Sequence, residues 1–238
     1  MSQLIIDDLV VDVIRKDIKH VYFSVYPPNG RVRVSAPHRY DDEAIRLAVI
    51  SKLPWIERHR ARFAGLQRRQ KLEYVSGEYH DYQGQPYLLN VVYSQGPPTV
   101  KMHSNSTLDL LARPGSDAGK REQVMIAWYR QQLKEAIPPL IAKWEGIIGE
   151  DVAEWGVKRM KTRWGSCNIK ARRIWLNLEL IKRPVSSLEY IIVHEMVHFK
   201  ERLHNRRFKA HMDRYLPQWR SRQEELEEIP LAYAHLGY

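Results

Sequence analysis

The segment HEMVH carries the residue types of a metal-dependent hydrolase at the spacing of the H-E-x-x-H motif. On an α-helix, His194 and His198 lie on one face, about 6 Å apart along the axis, so both imidazoles can reach one cation. Glu195 projects beside them and is predicted to take a proton from a metal-bound water and pass it to a leaving group. The motif therefore predicts a Zn²⁺ site that acidifies water and polarises the bond to be broken.

A catalytic zinc usually has three protein ligands and a water, so the motif needs a third ligand. His204 is favoured, because it lies ten residues after His194, the spacing of the extended H-E-x-x-H-x-x-G-x-x-H motif. Glu201 stands where that motif has Gly, so the chain is expected to turn near 203–205. Glu201 is a rival ligand, although a role in orienting an imidazole is favoured for it. The other alternative is a carboxylate of the last helix, namely Glu224, Glu225, Glu227 or Glu228.

The motif lies within a helix that is predicted to be buried. Ser186 and Glu189 have the spacing of a capping box after Pro184, so the helix is expected over the sequence SLEYIIVHEMVHFK. Its apolar residues surround it almost completely: Leu188, Ile191, Ile192, Val193, Met196, Val197 and Phe199. Unpaired polar groups inside such a helix each cost on the order of 1–3 kcal/mol, which favours a function for its two His and its Glu.

Several neighbouring residues have open roles. Asn205 is predicted to cap the next helix, and Arg206 and Arg207 are expected to add positive potential beside the metal. His211 either stabilises a developing oxyanion or is a structural histidine. Cys167 is either a nucleophile or, by default, a small apolar residue.

The segment 155–178 contains seven Lys and Arg residues and no Asp or Glu. We interpret it as a β-hairpin in which WGSCN supplies the turn and RRIWLNLEL has one apolar face. The strand over 172–180 is expected to line the cleft, where an extended peptide could pair with its edge. The Lys and Arg residues of this hairpin either contact an anionic substrate or belong to a hairpin that simply packs over the core.

Taken together, RWGSCN (163–168), IWLNLELI (174–181) and HEMVHFKERLHNRRF (194–208) resemble the YgjP-like metallopeptidase family, which is related to SprT-like and minimal gluzincin-type zinc hydrolases. The resemblance is strong over about 150–220. It implies that His194, His198 and His204 are the zinc ligands and that Glu195 is the general base. The family has Leu more often than Met at position 196.

The rest of the chain predicts an α+β protein with a β-rich N-terminal portion and a zincin-like helical catalytic half that includes the hairpin. The N-terminal region, 1–112, is expected to contain a hairpin over 19–36 and one helix over about 41–70. The segment 113–119 (RPGSDAG) is interpreted as a linker, and 120–238 as the metallohydrolase domain.

Composition restricts the class of protein. The 238 residues are 44% hydrophobic and 28% charged, which excludes wholesale disorder, and the single Cys excludes an intrachain disulfide scaffold. No secretory signal and no apolar run of about 18 residues is found, so we expect a cytoplasmic protein without a membrane span. The formal net charge of +10 favours anionic partners without identifying them.

Three functions follow from these observations. The first is a zinc metallopeptidase. The second is a metal-dependent nucleotide (NTP) pyrophosphohydrolase that uses the same site, motivated by the basic residues around it. The third, weakly supported, is a DNA-associated protease or a nucleic-acid-binding module. The substrate, the oligomeric state and the role of the N-terminal region are left open by the sequence.

Overall fold

The computed structural model describes residues 2–26, 30–66, 72–104 and 106–227. Its contacts divide the chain into two compact units, Met1–Gln70 and Lys71–Tyr238. The fold is mixed α+β, as predicted. Within the described residues, no helix is both long enough and apolar enough to cross a bilayer.

The first unit is a four-stranded sheet with a helix on one face. Its strands are β1 (Ser2–Ile6), β2 (Leu9–Lys16), β3 (Tyr22–Tyr26) and β4 (Arg31–Pro37), in the order β1-β2-β4-β3. The predicted hairpin is confirmed, since β3 pairs antiparallel with β4. Helix α1 (Asp42–Leu66) packs Ile45, Val49 and Ile56 onto the sheet. It was predicted to end near residue 70, and 67–70 lie outside the described residues.

The second unit begins with another four-stranded sheet. Its strands are β5 (Tyr79–Tyr82), β6 (Gln85–Tyr93), β7 (Thr99–Ser104) and β8 (Thr107–Ala112), in the order β5-β6-β8-β7. Helix α2 (Ala118–Ile148) starts at the N-cap Asp117 and ends at Gly149, which adopts the left-handed conformation that glycine tolerates. Leu108 and Leu110 share one core with Met125 and Leu133 of α2. The segment 113–119, predicted to be a linker, connects β8 to α2 inside the second compact unit.

A three-stranded sheet follows, with β9 (Glu154–Lys158), β10 (Gly165–Asn168) and β11 (Arg173–Asn177) in the order β10-β11-β9. Strands β10 and β11 form the predicted hairpin. The turn assigned to WGSCN is wrong, because Gly165–Asn168 is itself strand β10 and the chain reverses over 169–172, where Arg172 has a positive φ. A 3-10 helix, Leu178–Lys182, leads out of the sheet.

The remaining helices are α3 (Val185–Val197), α4 (Arg206–Tyr215) and α5 (Trp219–Glu227). Helix α3 is buried as predicted, but it has no capping box, since no side chain caps its N-terminus. The carboxylate of Glu189 instead accepts hydrogen bonds from Lys143 and Trp144 of α2 and from Arg222 of α5. The carboxylate that was predicted to cap α3 therefore bonds to side chains of other helices.

Candidate metal centre

Helix α3 and the turn after it bring three imidazoles together. His194 and His198 are four residues apart, and His198 is the C-cap residue at which the helix stops. Backbone hydrogen bonds from Phe199 to Met196 and from Lys200 to Val197 tighten this end of the helix. The chain then reverses and carries His204 back toward the helix.

The start of α4 fixes the end of this turn. Asn205 is the N-cap residue, as predicted, and its side-chain oxygen accepts hydrogen bonds from the backbone N–H groups of Arg207 and Phe208. The ring of Phe208 lies 4.7–4.9 Å from the ring centres of all three imidazoles. Phe208 therefore packs against all three imidazoles and restricts their movement.

The three imidazoles fit a single metal ion. Their potential ligand atoms all lie within 4.8 Å of one another, and Nε2 of His194 lies 2.9 Å from Nε2 of His204. Zinc–nitrogen bonds of about 2.0–2.1 Å in a tetrahedral site place two ligand nitrogens roughly 3.3 Å apart, which small side-chain shifts would satisfy. No other group of three or more His, Cys, Asp or Glu side chains in the described part of the chain is arranged in this way.

The rival ligands lie outside this group. The backbone carbonyl oxygen of Glu201 lies 3.1 Å from Nδ1 of His198, and its carboxylate accepts a hydrogen bond from the backbone of Leu203. An Nδ1–H bonded to a carbonyl leaves Nε2 of His198 free for a cation. Glu224, Glu225 and Glu227 do not join the three imidazoles either, and Glu228 lies outside the described residues.

Burial keeps the central imidazole neutral. It lowers the pKa of His194 to about 3, and the proximity of His198 and His204 adds to the effect. The pKa of His198 is also lowered, chiefly by burial, against the opposing hydrogen bond to the Glu201 carbonyl. Neutral imidazole is the form that binds metal ions, so the site is prepared for a cation.

Glu195 lies beside the imidazoles and against strand β10. It is only 6% exposed. Burial raises its pKa to about 8, and the positive charge of Arg163 opposes this shift. A divalent ion among the imidazoles would act in the same direction as Arg163 and favour the ionised carboxylate.

A cleft of about 930 Å³ opens onto these side chains. Helix α5 and strand β10 contribute to its walls. Its apolar lining consists of Trp164, Ile169, Tyr190, Ile191, Phe208, Trp219 and Leu226. The exposed cations Arg163, Arg202 and Lys209 also line it, and within the described ranges no carboxylate comes within ion-pair distance of any of the three. The cleft therefore combines an apolar wall with exposed cations and with the carboxyl groups of Glu195 and Glu227.

The strand that borders the cleft is not the one predicted. The segment 172–180 was expected to offer its edge to a substrate, but β11 is the central strand, flanked by β10 and β9. Of the two edge strands, β10 and β9, only β10 contributes to the lining of the cleft, through Gly165, Ser166 and Cys167. The edge available for backbone pairing is therefore that of β10.

Two further expectations concern residues that were expected near the metal site. Arg206 and Arg207 do not line the cleft, whereas Arg202 and Lys209 on either side of them do. His211 does not line it either, and its ring stacks on Tyr215. The cations that line the cleft are thus not the two that were predicted, and the stacking of His211 on Tyr215 favours the structural alternative for that residue.

Cys167 lines the cleft, and its surroundings disfavour the thiolate form. Burial raises its pKa to about 12, and the negative charge of Glu195 contributes to the shift. The thiol is therefore protonated near neutral pH, which disfavours a nucleophilic role.

Sequence reasoning missed two residues in the cleft. Tyr190 lies one helical turn before His194, with the two ring centres 5.9 Å apart, and its i−4 spacing would have placed it on the ligand face. Gly165 was noted only as part of a motif, although it packs directly against Glu195. No local pattern indicates that contact, because it joins a strand to a helix.

Comparison with known proteins adds one finding. The model of the family described as YgjP-like, metallopeptidase domain, matches residues 19–229, which is most of the chain. A search of curated proteins gave no match.

Proposed function

Because this chain belongs to the YgjP-like metallopeptidase family, we propose that it is a zinc-dependent hydrolase that cleaves peptide bonds. The observation that carries the proposal is the convergence of His194, His198 and His204 beside the carboxylate of Glu195, at the floor of an open cleft. We place the reaction in the cytoplasm, since a single Cys suits a reducing compartment.

In this proposal the three imidazoles hold the ion. Zn²⁺, when bound, supplies a Lewis acid that lowers the pKa of water and polarises the substrate carbonyl. The hydrogen bond between His198 and the Glu201 carbonyl fixes the orientation of that imidazole. Phe208 packs against all three rings and limits their movement.

Glu195 is the general base. One of its carboxylate oxygens accepts a proton from the attacking water, and the same oxygen later donates that proton to the leaving amine. The absence of a side chain at Gly165 leaves room for the carboxylate, since a Cβ there would lie 2.6 Å from Oε1 of Glu195. Because Glu195 is only 6% exposed, its electrostatic interactions are stronger than they would be in water.

The open edge of β10 supports a peptide as substrate. An extended chain that pairs with Gly165–Asn168 would lie along the cleft beside Glu195. Backbone pairing tolerates many side chains, so the apolar wall and the cations of the cleft would select among sequences.

The direct test is turnover by the purified, zinc-loaded chain on casein and on a peptide library, with and without a chelator. We expect cleavage that the chelator abolishes. Glu195→Gln should lower it by about 10²–10⁴-fold while the bound zinc is retained. Glu201→Gln is the matched control, because the Glu201 carboxylate is hydrogen-bonded to the backbone of Leu203, and it is the backbone oxygen of Glu201 that is hydrogen-bonded to His198. Cleavage that persists in Glu195→Gln would overturn the proposal.

A second candidate is hydrolysis of nucleoside triphosphates at the same site. It is favoured by Arg163, Arg202 and Lys209, three cleft cations without a carboxylate at ion-pair distance among the described residues. Such cations suit a polyphosphate. Release of pyrophosphate from NTPs, measured beside peptide cleavage, separates the two functions. If Glu195→Gln abolishes only the nucleotide activity, the peptidase assignment is lost.

A further inference from the structure

The second unit has a groove of about 570 Å³ between strand β7 and helix α2. On the strand side it is lined by Pro98, Thr99 and Val100. On the helix side it is lined by residues at the spacing i, i+4, i+7 and i+11, which share one face of α2: Lys120, Val124, Ala127 and Gln131. We call this site the α2 groove. None of its residues lines the cleft of the candidate metal centre.

Strand β7, which forms one side of the α2 groove, is an edge strand. It comes last in the order β5-β6-β8-β7, and β8 is the strand it pairs with among the described residues. The backbone N–H and C=O groups on its other side are therefore open to another extended chain. Met102 points to the same face of the sheet as the buried Val100, and it is 51% exposed. An added strand would cover Met102 and direct alternate side chains toward α2.

The helix side of the α2 groove is apolar and firmly packed. Val124, Ala127 and Trp128 line it. The indole ring of Trp128 lies 5.0 and 5.1 Å from the ring centres of Tyr82 and Tyr129, both of which are buried. The groove is thus preformed, so its side chains need little ordering when a ligand binds.

The part of the α2 groove near the start of the helix is positively charged, and we call it the cation end. Arg113, Lys120 and Arg121 line it, and no Asp or Glu lines any part of the groove. Arg121 is only 8% exposed. Its guanidinium donates hydrogen bonds to three neutral backbone carbonyl oxygens, those of Glu73, Tyr74 and Ser116. Within the described ranges, no carboxylate lies at ion-pair distance from these three cations.

Two further residues define what the cation end can bind. The carboxylate of Asp117 accepts a hydrogen bond from the backbone N–H of Lys120 and does not line the groove. Ser116 does line it, and its hydroxyl is buried with no hydrogen-bond partner among the described residues. A buried hydroxyl and a buried cation are both stabilised by an acceptor oxygen. The cation end therefore fits a carboxylate.

We propose that the α2 groove binds an extended peptide segment of a partner protein, which adds a strand to β7 and directs an acidic side chain to the cation end. In strand addition, backbone hydrogen bonds give affinity, and pockets for alternate side chains give specificity. Hydrogen bonds from Arg or Lys to a carboxylate are stronger than neutral ones. Because the groove is separate from the metal centre, this binding does not depend on the proposed hydrolysis.

Two other occupants fit the α2 groove less well. A nucleic-acid strand offers phosphates to the cations, but its backbone has no amide groups that pair with the edge of β7. A second copy of the chain offers its own β7, but it brings two sets of the same cations together. The edge strand, the apolar wall and the cation end together indicate an acidic peptide.

The test is the fluorescence anisotropy of a fluorescein-labelled peptide in which Thr and Val alternate before a terminal Asp-Glu pair. It is titrated with the full chain carrying Glu195→Gln, so that the peptide is not cleaved. We expect saturable binding, and a peptide that ends in Lys-Lys should bind at least about tenfold more weakly. Peptides N-methylated at Val or at Thr should differ by about tenfold in affinity, because only alternate N–H groups face β7.

Variants of α2 locate the bound peptide. Ala127→Glu should weaken binding by at least about tenfold, because it adds bulk and negative charge inside the groove, and Lys120→Glu should weaken it by about fivefold. Both residues are exposed, so these substitutions leave the core intact. Ala142→Glu and Lys134→Glu are the matched controls, because these exposed residues of α2 do not line the groove.

Four outcomes would overturn the proposal. The first is the absence of saturable binding by the folded chain at low salt. The second is unchanged affinity in both Ala127→Glu and Lys120→Glu, which would place the peptide elsewhere, for instance in the catalytic cleft. The third is equal affinity for the Asp-Glu and Lys-Lys peptides. The fourth is displacement of the peptide by an equal concentration of oligo(dT), which would indicate a nucleic-acid site. Circular dichroism spectra that match those of the unmodified chain show that the variants are folded.

Discussion

Gly165 of strand β10 packs against the carboxylate of Glu195 so closely that a Cβ at position 165 would lie 2.6 Å from Oε1 and 2.8 Å from a methyl carbon of Ile191. The hairpin and helix α3 thus meet at the proposed general base. This close contact leaves no room for a side chain at position 165. It also means that the position of the Glu195 carboxylate depends on the hairpin.

Gly165→Ala should therefore displace the Glu195 carboxylate. We expect turnover to fall by about 10²-fold, because a misplaced base costs about that much. The affinity for zinc should be nearly unchanged, since no imidazole is among the nearest atoms. Steady-state kinetics and a zinc titration measure the two effects. Gly146→Ala is a control, as a Cβ there meets no atom within 4 Å. Full activity in Gly165→Ala would contradict the role given to this contact.

The third ligand can be identified by metal affinity. His204→Ala should weaken zinc binding by more than about 100-fold, since even residues that only orient a ligand contribute 10–100-fold. Glu201→Gln should leave the affinity close to that of the unmodified chain, because its carboxylate bonds only to the backbone of Leu203. Competition with a chromogenic chelator measures both. His211→Ala is the matched imidazole control. A larger loss in Glu201→Gln than in His204→Ala would reverse the assignment.

Part of this site follows from the sequence, and part does not. The spacing of His194 and His198 is enough to place both on one helical face, because helix geometry is local. The ten-residue spacing to His204 also predicted its return to the helix. The edge position of β10 was not predicted, because it depends on the parallel pairing of β11 with β9 (Glu154–Lys158), which the hairpin pattern does not indicate.

The capping-box error has the same physical origin. Ser186 and Glu189 have the local spacing of a cap, but the Glu189 carboxylate bonds to three side chains from helices α2 and α5. Long-range charge pairing outweighs one local hydrogen bond. Likewise, Arg206 and Arg207 follow the third histidine directly in sequence and were expected beside the metal. Of the basic residues in α4, however, it is Lys209 that lines the cleft.

Glu189 should matter for stability rather than for chemistry. Its side chain is 12% exposed and pairs with Lys143 and Arg222 at 2.7 and 2.6 Å. Burial alone would raise its pKa, but the hydrogen bonds from the two cations outweigh this and lower it. We expect Glu189→Gln to reduce the free energy of unfolding by about 2 kcal/mol, because a mostly buried pair is broken. Urea denaturation measures the change, with the exposed Glu224→Gln as control. Equal midpoints would contradict this role.

His80 should make the stability of the chain depend on pH. The residue is 3% exposed, and burial lowers its pKa to about 4, a shift that the nearby Glu78 carboxylate opposes. In the unfolded chain the pKa of histidine is about 6.5. As the pH falls from 6.5 to 4, the unfolded chain therefore binds a proton that the folded chain does not, and the free energy of unfolding decreases.

His80→Gln should weaken that dependence, because glutamine does not titrate. Between pH 7 and pH 4 we expect the variant to lose less of its free energy of unfolding than the unmodified chain does, by on the order of 2 kcal/mol. Urea denaturation at several pH values gives the two curves. Curves that stay parallel across this range would show that His80 does not contribute.

The central claim is that three imidazoles hold one zinc ion beside Glu195. It is tested most directly by anomalous scattering at the zinc absorption edge from crystals of the metal-replete protein. We predict a single strong peak about 2.0–2.1 Å from a ring nitrogen of each of His194, His198 and His204. A peak held by other residues, or no peak between these three side chains, would contradict the claim.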